Sequence, residues 1–281
     1  MAKTMQSALA RWHELHDARA QQMDAAYARL GRTSADFWQR RAGGFHRATR
    51  DSALQDPFFQ RVRAEVSSEN DLLDVGAGTG RFTLALAPFV SHIVAVEPSD
   101  AMLKYLQQET ETQGLTNISY QATTWQAAPD TLQADIVICS HVLYPIREVD
   151  QFLKKLYAAT RQTCYLYMRA TPIDALSAHL WQYFHGEERI FSPSYIHALD
   201  ILFELDLYAD VEIVRTSSTL HFASLDDAVE EMLEMLILPD TRQTRQELRL
   251  QLEQWLVPQG AEFVPPQPEL VSAILKLSRS A

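Results

Sequence analysis

Three glycines on alternate positions, Gly76, Gly78 and Gly80, follow directly on the short apolar run 72–75, which carries the acid Asp74. Glycine adopts positive φ without penalty, and its missing Cβ lets a ligand or another backbone come close. The residues from Arg81 onward read as a helix, whose free N–H groups and positive dipole end face the same turn. A strand, a glycine turn and a helix in succession make a ligand-binding corner. Two familiar versions of it do not fit. A dinucleotide turn of the form G-x-G-x-x-G asks for Gly or Ala where Arg81 stands, and a nucleotide P-loop asks for a Gly-Lys-Ser/Thr that the chain lacks. Glu97 ends the apolar run 92–96, and the 17-residue step from Gly80 suits one helix and one strand that bring the acid back beside the turn. His141 and Tyr144 follow the apolar run 135–140, at the carboxyl end of a strand, where open α/β sheets hold their ligands. An imidazole there is a candidate general base, and Tyr144, three residues on, a candidate to orient an acceptor.

The elements that must position these groups can be read from periodicity. Positions 4–30 carry apolar residues at helical steps and end at Gly31. Ser34 or Asp36 is placed to cap a short helix with Phe37, Trp38 and Arg41, and Pro57 starts another with Phe58, Phe59, Val62 and Val66. From residue 70 the period changes. Strands are expected at 72–75, 92–96, 117–121, 135–140 and 163–168, alternating with helices at 81–90, 100–113 and 148–160. That rhythm means a parallel sheet with helices on both faces and right-handed crossovers. Further on, helices are expected at 173–184, 194–207 (with Ile196, Leu199, Leu202 and Phe203 inward), 225–238 and 241–256. A sixth strand is expected at 211–214, a Pro-rich connector at 258–268 and a closing strand at 269–277. The fold class is α/β: a doubly wound, mostly parallel, seven-stranded Rossmann-like sheet. Residues 1–69 form a helical N-terminal extension, residues 70–281 the main domain, and helical insertions at about 171–207 and 224–257 form a lid.

Composition narrows the function classes. The 281 residues are 47% apolar and carry a net charge of −11, which argues against a nucleic-acid partner. The charge is uneven: residues 1–69 hold 11 Lys and Arg against 8 acids, and six arginines lie within 29–50 beside one acid, Asp36. That cluster is either a solvated helix face or a basic lip over an anionic group. Cys139 and Cys164 lie in apolar runs and read as buried thiols of a reducing compartment. With no apolar run long enough to span a bilayer and no apolar signal core in 1–19, a cytoplasmic protein is expected. No ligand spacing of Cys, His and acids suggests a metal.

The run Asp74-Val75-Gly76-Ala77-Gly78-Thr79-Gly80 resembles the first motif of the class I S-adenosylmethionine-dependent methyltransferases, an acid followed by Gly-x-Gly-x-Gly at the first strand-to-helix turn. The resemblance extends to Glu97 in Val94-Ala95-Val96-Glu97-Pro98-Ser99 and to the strand 135–140 with His141-Val142-Leu143-Tyr144. It covers about 71–168 strongly and about 194–278 loosely. It implies S-adenosyl-L-methionine as cofactor, with S-adenosyl-L-homocysteine as product, held along Asp74, Gly76, Ala77, Gly78, Gly80, Glu97, Pro98 and Ser140. Glu97 would take the ribose hydroxyls, Asp74 would lie near the methionine amino group, and the glycines would make room for the methionine. Where the family often has Asp after the third strand, this chain has Gln121-Ala122-Thr123-Thr124-Trp125, so Thr123 and Trp125 stand in for the adenine contact. The segment 37–45 resembles the part many small-molecule members close over the cofactor. Arg41 would then meet the methionine carboxylate, and Trp38 or Phe45 would cover the sulfonium.

The reading that follows is methyl transfer to a small-molecule acceptor by in-line displacement, with His141 and Tyr144 as catalytic candidates. Tyr183, His179 and His185 are further candidates to line the acceptor pocket. A protein or RNA methyltransferase, and a non-catalytic cofactor-binding or assembly module, remain as alternatives. In the last case the Met/Leu face of 225–238 would be a homodimer surface.

Overall fold

The computed structural model describes residues 6–33, 43, 53–218, 220–267 and 269–279. Trp38, Arg41 and the rest of the segment 37–45 apart from Gly43 therefore lie outside the described residues. In chain order the strands are β1 (Asp71–Val75), β2 (His92–Val96), β3 (Ile118–Gln121), β4 (Ala134–Ser140), β5 (Thr160–Arg169), β6 (Asp210–Ser217), β7 (Val257–Gln259), β8 (Glu262–Val264) and β9 (Glu269–Ser278). The helices are α1 (Ala8–Arg29), α2 (Pro57–Arg63), α3 (Arg81–Leu86), α4 (Asp100–Thr112), α5 (Val149–Ala158), α6 (Ala178–His185), α7 (Tyr195–Glu204), α8 (Leu225–Met235) and α9 (Arg242–Trp255).

Seven strands make one sheet in the order β3-β2-β1-β4-β5-β9-β6, and β7 and β8 form a separate hairpin. The pairings from β3 to β5 are parallel, and β9 runs antiparallel to both β5 and β6. The seven-stranded, mostly parallel sheet is as expected. The strand order reverses between β1 and β4, which opens the crevice at their carboxyl ends where such sheets take ligands. The near-continuous apolar runs have a simple cause: both faces of the sheet are covered. Leu73, Val75, Val137, Cys139, Leu166 and Met168 face one side with α5 and α7, whereas Leu72, Ile136, Ile138, Tyr165 and Tyr167 face the other with α2 and α3. The alternation is the period-2 rule applied to a strand buried twice. Both cysteines are free and buried.

On the second face the packing is aromatic. The Phe58 ring lies parallel to Tyr167 at 4.7 Å and meets Phe82 edge-on at 4.9 Å. Asp56 caps α2 by accepting from the Phe58 N–H at 2.8 Å, with Pro57 at the first helical position, so the entry to this helix is fixed by two local signals.

Helix α1 is bound to the rest of the chain at both ends. Trp12 is fully buried in the first-face core and donates from Nε1 to the Ile146 carbonyl at 2.8 Å. Its other end brings Ala26 and Tyr27 into a second apolar cluster with α6, α8, α9 and Phe222. Between them Arg19 and Arg189 share Asp174, at 2.6 and 3.1 Å.

Several details differ from the sequence reading. The helix expected at 81–90 stops at Leu86 and continues as a 3-10 turn at Ala87–Phe89, where Pro88 interrupts the α-helical hydrogen bonds. The expected helix at 173–184 is a 3-10 turn at Ile173–Ala175 followed by α6. The Pro-rich connector contains the β7–β8 hairpin, turned at Gly260 with φ 64°. Ile196 and Phe203 are 48% and 67% exposed, because α7 buries the stripe Ala198, Ile201 and Leu202 instead. That stripe packs on the sheet, so α7 is a sheet-covering helix, and α6, α8 and α9 make the separate helical layer. The apolar face of α8 (Val229, Met232, Leu233) is buried in that layer within the chain.

If α1 is part of the cooperative fold, Trp12→Ala should cost about 3–5 kcal/mol, as for other fully buried aromatic residues. Urea unfolding measures this, and a loss below about 1 kcal/mol would mean that α1 is a detachable appendage.

Candidate functional site

The glycine turn is held from three sides. Gly76 and Ala77 both donate their N–H groups to the Val96 carbonyl, at 2.8 and 3.1 Å, and Gly80 donates to Ala77 at 2.9 Å. The Gly78 N–H donates to Glu97 Oε2 at 2.9 Å, and the Ser99 N–H donates to Glu97 Oε1 at 2.8 Å. Glu97 therefore does return beside the turn, and it bridges the loop after β1 to the loop after β2. Burial raises its pKa, and the two backbone donors oppose that shift.

The three glycines serve different ends. All have positive φ, at 78°, 58° and 90° for Gly76, Gly78 and Gly80. A Cβ on Gly76 would stand 2.3 Å from Val142 Cγ2, and one on Gly80 would stand 2.4 Å from Leu106 Cδ1. Gly76 is thus a packing contact between the β1 and β4 loops, and Gly80 one with α4. At Gly78 a Cβ would meet nothing within 4 Å. Its Cα faces open space next to Glu97, which is the room a bound ligand needs. Ala77 turns its side chain into packing with Ala95, Leu103 and Leu106.

Asp74 lies on β1 with its side chain buried, and its Oδ2 accepts from the Thr83 hydroxyl at 2.6 Å. Burial raises its pKa to about 7, the Thr83 bond works against the rise and the nearby Glu97 carboxylate adds to it. Thr83 is one turn into α3, so this bond fastens the helix to the strand behind the glycine turn. Pro98 is exposed, and Ser99 caps α4 through Oγ. Thr123 is half-buried and spends its N–H on the Gln121 carbonyl at 2.9 Å. Trp125 belongs to the first-face core, with Lys155 Nζ 5.2 Å from its ring centroid. A tryptophan so packed contributes little open surface to an adenine site, so the geometry leaves Thr123 as the accessible member of that pair.

At the end of β4, Ser140 is half-buried and His141 follows with φ 58°, a conformation uncommon outside glycine. The His141 N–H donates to the Tyr167 carbonyl at 2.8 Å, which holds the residue to the end of β5. Its Nδ1 lies 3.0 Å from the Tyr144 hydroxyl, which accepts from the Arg169 backbone N–H at 2.7 Å. The imidazole also packs against Tyr167, with ring centroids 4.5 Å apart. Burial holds the His141 pKa well below 6.5, and the Arg169 and Arg81 guanidiniums push the same way. Burial pushes the Tyr144 phenol up to about 12. At neutral pH the pair is therefore an uncharged imidazole and an uncharged phenol.

The structure gathers further residues that sequence reasoning missed. Arg81, read there only as an obstacle to a dinucleotide, pairs with buried Asp56 at 2.8 Å. Arg169 ends β5 beside Tyr144. A charge closing the otherwise apolar run 163–168 was the available signal for Arg169. By contrast, the candidates after β5 belong to the helical layer: His185 stacks on Trp181 at 3.9 Å and bonds to the Leu236 carbonyl, His179 meets Trp255 edge-on, and exposed Tyr183 donates to Glu247. Among the described residues no group of three or more His, Cys, Asp and Glu could hold a metal ion. No described helix is long and apolar enough to cross a membrane.

The site thus consists of a Rossmann-like sheet with an acidic glycine turn after β1 and an acid after β2. Residues 73–168, about a third of the chain, match the model of a family described as a methyltransferase domain. The chain is similar to an uncharacterized protein of Haemophilus influenzae, 28% identical over 168 residues that make up 59% of this chain and 61% of that protein. It is also similar to the uncharacterized methyltransferase YcgJ of Bacillus subtilis, 25% identical over 100 residues, 35% of this chain and 40% of that protein. The chain thus spans less than two thirds of the length of these relatives. Among solved structures, magnesium protoporphyrin IX methyltransferase from Synechocystis PCC 6803 with bound S-adenosylhomocysteine superposes with a TM-score of 0.52 at 15% identity, covering 87% of this chain and 94% of that one. This likeness is one of fold. The open face of Gly78, whose N–H is bonded to Glu97, leaves room for a ligand at this turn.

Two outcomes follow from this geometry. Gly76→Ala should destabilise the protein by about 2 kcal/mol or more through its clash with Val142, and Val142→Ala in the same chain should restore part of that loss. Gly78→Ala should cost only about 1 kcal/mol of left-handed strain, yet fill the space next to Glu97. Equal stability losses at the two positions, measured by urea unfolding, would contradict the different surroundings of these glycines.

Asp74 gives a pH signature. Its folded pKa lies above the unfolded value, so between about pH 4 and 7 the folded state binds more protons and loses stability as pH rises, by at most about 1.4 kcal/mol per pH unit. Asp74→Asn removes that slope while keeping an acceptor for Thr83. The stability advantage of the variant should grow from pH 5 to pH 7.5 and level off above about pH 8. Parallel stability curves for the two proteins would show that Asp74 is already ionised in the fold.

Proposed function

We propose that the protein transfers a methyl group from S-adenosylmethionine to a small-molecule acceptor bound in front of His141. The observation that carries this reading is the pairing of the open face of Gly78, lined by Glu97, with a strained, neutral imidazole at the next strand end. When bound, the cofactor supplies a methyl group on a sulfonium, an excellent leaving group. What remains for the chain is to hold the acceptor in line and exclude water.

Glu97 and Gly78 would receive the ribose, since each carboxylate oxygen keeps a lone pair beyond its backbone donor. Asp74 would serve the methionine amino group, whose positive charge favours the ionised carboxylate. Thr123 would meet the adenine. His141 would take a proton from the acceptor at Nε2 while its Nδ1–H donates to the Tyr144 oxygen. The phenol has two lone pairs, one for this bond and one for the Arg169 N–H, so it fixes the imidazole without needing to ionise. The depressed pKa keeps His141 in the proton-accepting form across the neutral range. Helix α1 and the layer of α6, α8 and α9 would cover the acceptor.

The acidic body and net charge of −11 favour a small molecule over RNA.

Wild-type protein should bind S-adenosylhomocysteine in calorimetry, and Gly78→Leu should abolish that binding. His141→Gln should retain cofactor binding and lower kcat by about 100-fold to 10,000-fold, as expected for loss of a general base. An acceptor screen reading S-adenosylhomocysteine release supplies the substrate. A wild-type protein that binds neither form of the cofactor ends the proposal, and an unchanged kcat in His141→Gln removes the base from it.

A further inference from the structure

Among the described residues, the side of the site beyond β4 carries more positive charge than their carboxylates neutralise. Arg169 is the last residue of β5, and by strand alternation it shares the face of Tyr165 and Tyr167. Its side chain is half-buried, and that burial lowers its pKa. A guanidinium nevertheless stays protonated in a protein. Its charge bears on Tyr144, Tyr167, Arg81 and Asp56, and it is the leading charge that acts on His141. Among the described residues, no carboxylate comes within ion-pair distance of Arg169.

Asp56 is the carboxylate that bears on Arg169, and it is already committed. One oxygen accepts from Arg81 at 2.8 Å and the other caps α2 through the Phe58 N–H at 2.8 Å. Arg81 itself is only half-satisfied, because its Nε–H is buried with no hydrogen-bond partner. Among the described residues, the neighbourhood of His141 thus holds two guanidiniums, one carboxylate and a neutral imidazole. A buried guanidinium without a counter-charge is costly, and so is a buried N–H without an acceptor. Such groups near a candidate catalytic imidazole are available to a ligand that brings an acceptor and a negative charge.

We propose that Arg169 binds an oxyanion, a carboxylate or a phosphate, carried by the methyl acceptor, and so selects anionic acceptors and holds them against His141. This rests on the methyltransferase reading and names its acceptor class. A planar guanidinium grips an oxyanion with two parallel bonds, so it fixes orientation as well as charge. Arg169 also holds Tyr144 through its backbone N–H, so the residue that grips the acceptor is built into the same unit as the residue that aligns the imidazole. No bond is made or broken in this binding step.

The test is equilibrium binding to protein saturated with S-adenosylhomocysteine. The probes are benzoate, phenyl phosphate and benzamide, alike in ring but not in charge, together with acetate and inorganic phosphate. At least one acid should bind wild type, benzamide should not, and the tighter of the carboxylate and phosphate probes identifies the group. Arg169→Met should weaken acid binding by about tenfold or more, as expected for loss of a charge-assisted pair, whereas Arg169→Lys should retain much of it. S-adenosylhomocysteine affinity should stay within about twofold in both variants, which also shows that they fold. Equal binding of benzoate and benzamide, no binding of any acid to wild type, or acid binding indifferent to Arg169→Met would overturn the proposal. So would a fall in S-adenosylhomocysteine affinity in folded Arg169→Met with acid binding intact, which would assign the guanidinium to the cofactor's own carboxylate. If wild type fails to bind S-adenosylhomocysteine whatever acid is present, the methyltransferase reading falls first and takes this one with it.

Discussion

The close approach of Val142 to Gly76 is the contact on which the site depends. It joins the loops that follow β1 and β4, the two strands flanking the reversal of strand order. Any side chain on Gly76 would push the β4 loop away, and His141 and Tyr144 would move with it. The same turn is tied to the end of β2 through Val96 and Glu97. Three strand ends are thereby locked to one another by backbone hydrogen bonds and one methyl contact, leaving the Gly78 side open. The corner is rigid where it touches protein and empty where a ligand would lie.

His141 is the price of that arrangement. Directly after β4 the chain enters the left-handed region at a non-glycine residue, His141, at a cost of order 1–2 kcal/mol. The surroundings compensate: the His141 N–H is bonded to the Tyr167 carbonyl, its ring packs on Tyr167, and Tyr144 is held by the Arg169 N–H. Strain at this position, enforced by several partners, places the imidazole at the strand end in a single orientation.

How much of this was legible in the sequence divides along a physical line. The glycine turn, Glu97 and the alternation of strands and helices were readable because each is fixed by local chemistry. Glycine is needed where φ is positive, and an apolar run of five residues between turns is a buried strand. The pairing of Asp56 with Arg81 joins residues 25 positions apart, and the link between Arg169 and Tyr144 spans the same separation. Nothing in local pattern announces such contacts. Ile196 and Phe203 were misplaced for a related reason, since the apolar stripe of α7 is wide enough to offer two faces and only the sheet decides between them. His179 and His185 looked chemical by type, yet packing in a separate helical layer explains them.

The two ends of the crevice differ in charge, and this bears on what they bind together. At the glycine turn lie two carboxylates, Asp74 and Glu97, with no cation paired to either among the described residues. Around His141 act two guanidiniums, Arg81, paired with Asp56, and Arg169, which has no carboxylate partner among the described residues. A donor that is cationic at both its sulfonium and its amino group suits the first end, and an anionic acceptor suits the second. Such opposed ends favour loading each reactant in one direction only, because either would meet like charge at the other's position. Opposite charges on the reactants also draw the acceptor toward the sulfonium. In that arrangement the neutral state of His141 matters twice. In the proposed reaction it would leave a lone pair for the acceptor proton, and it adds no third positive charge beside the guanidiniums of Arg81 and Arg169.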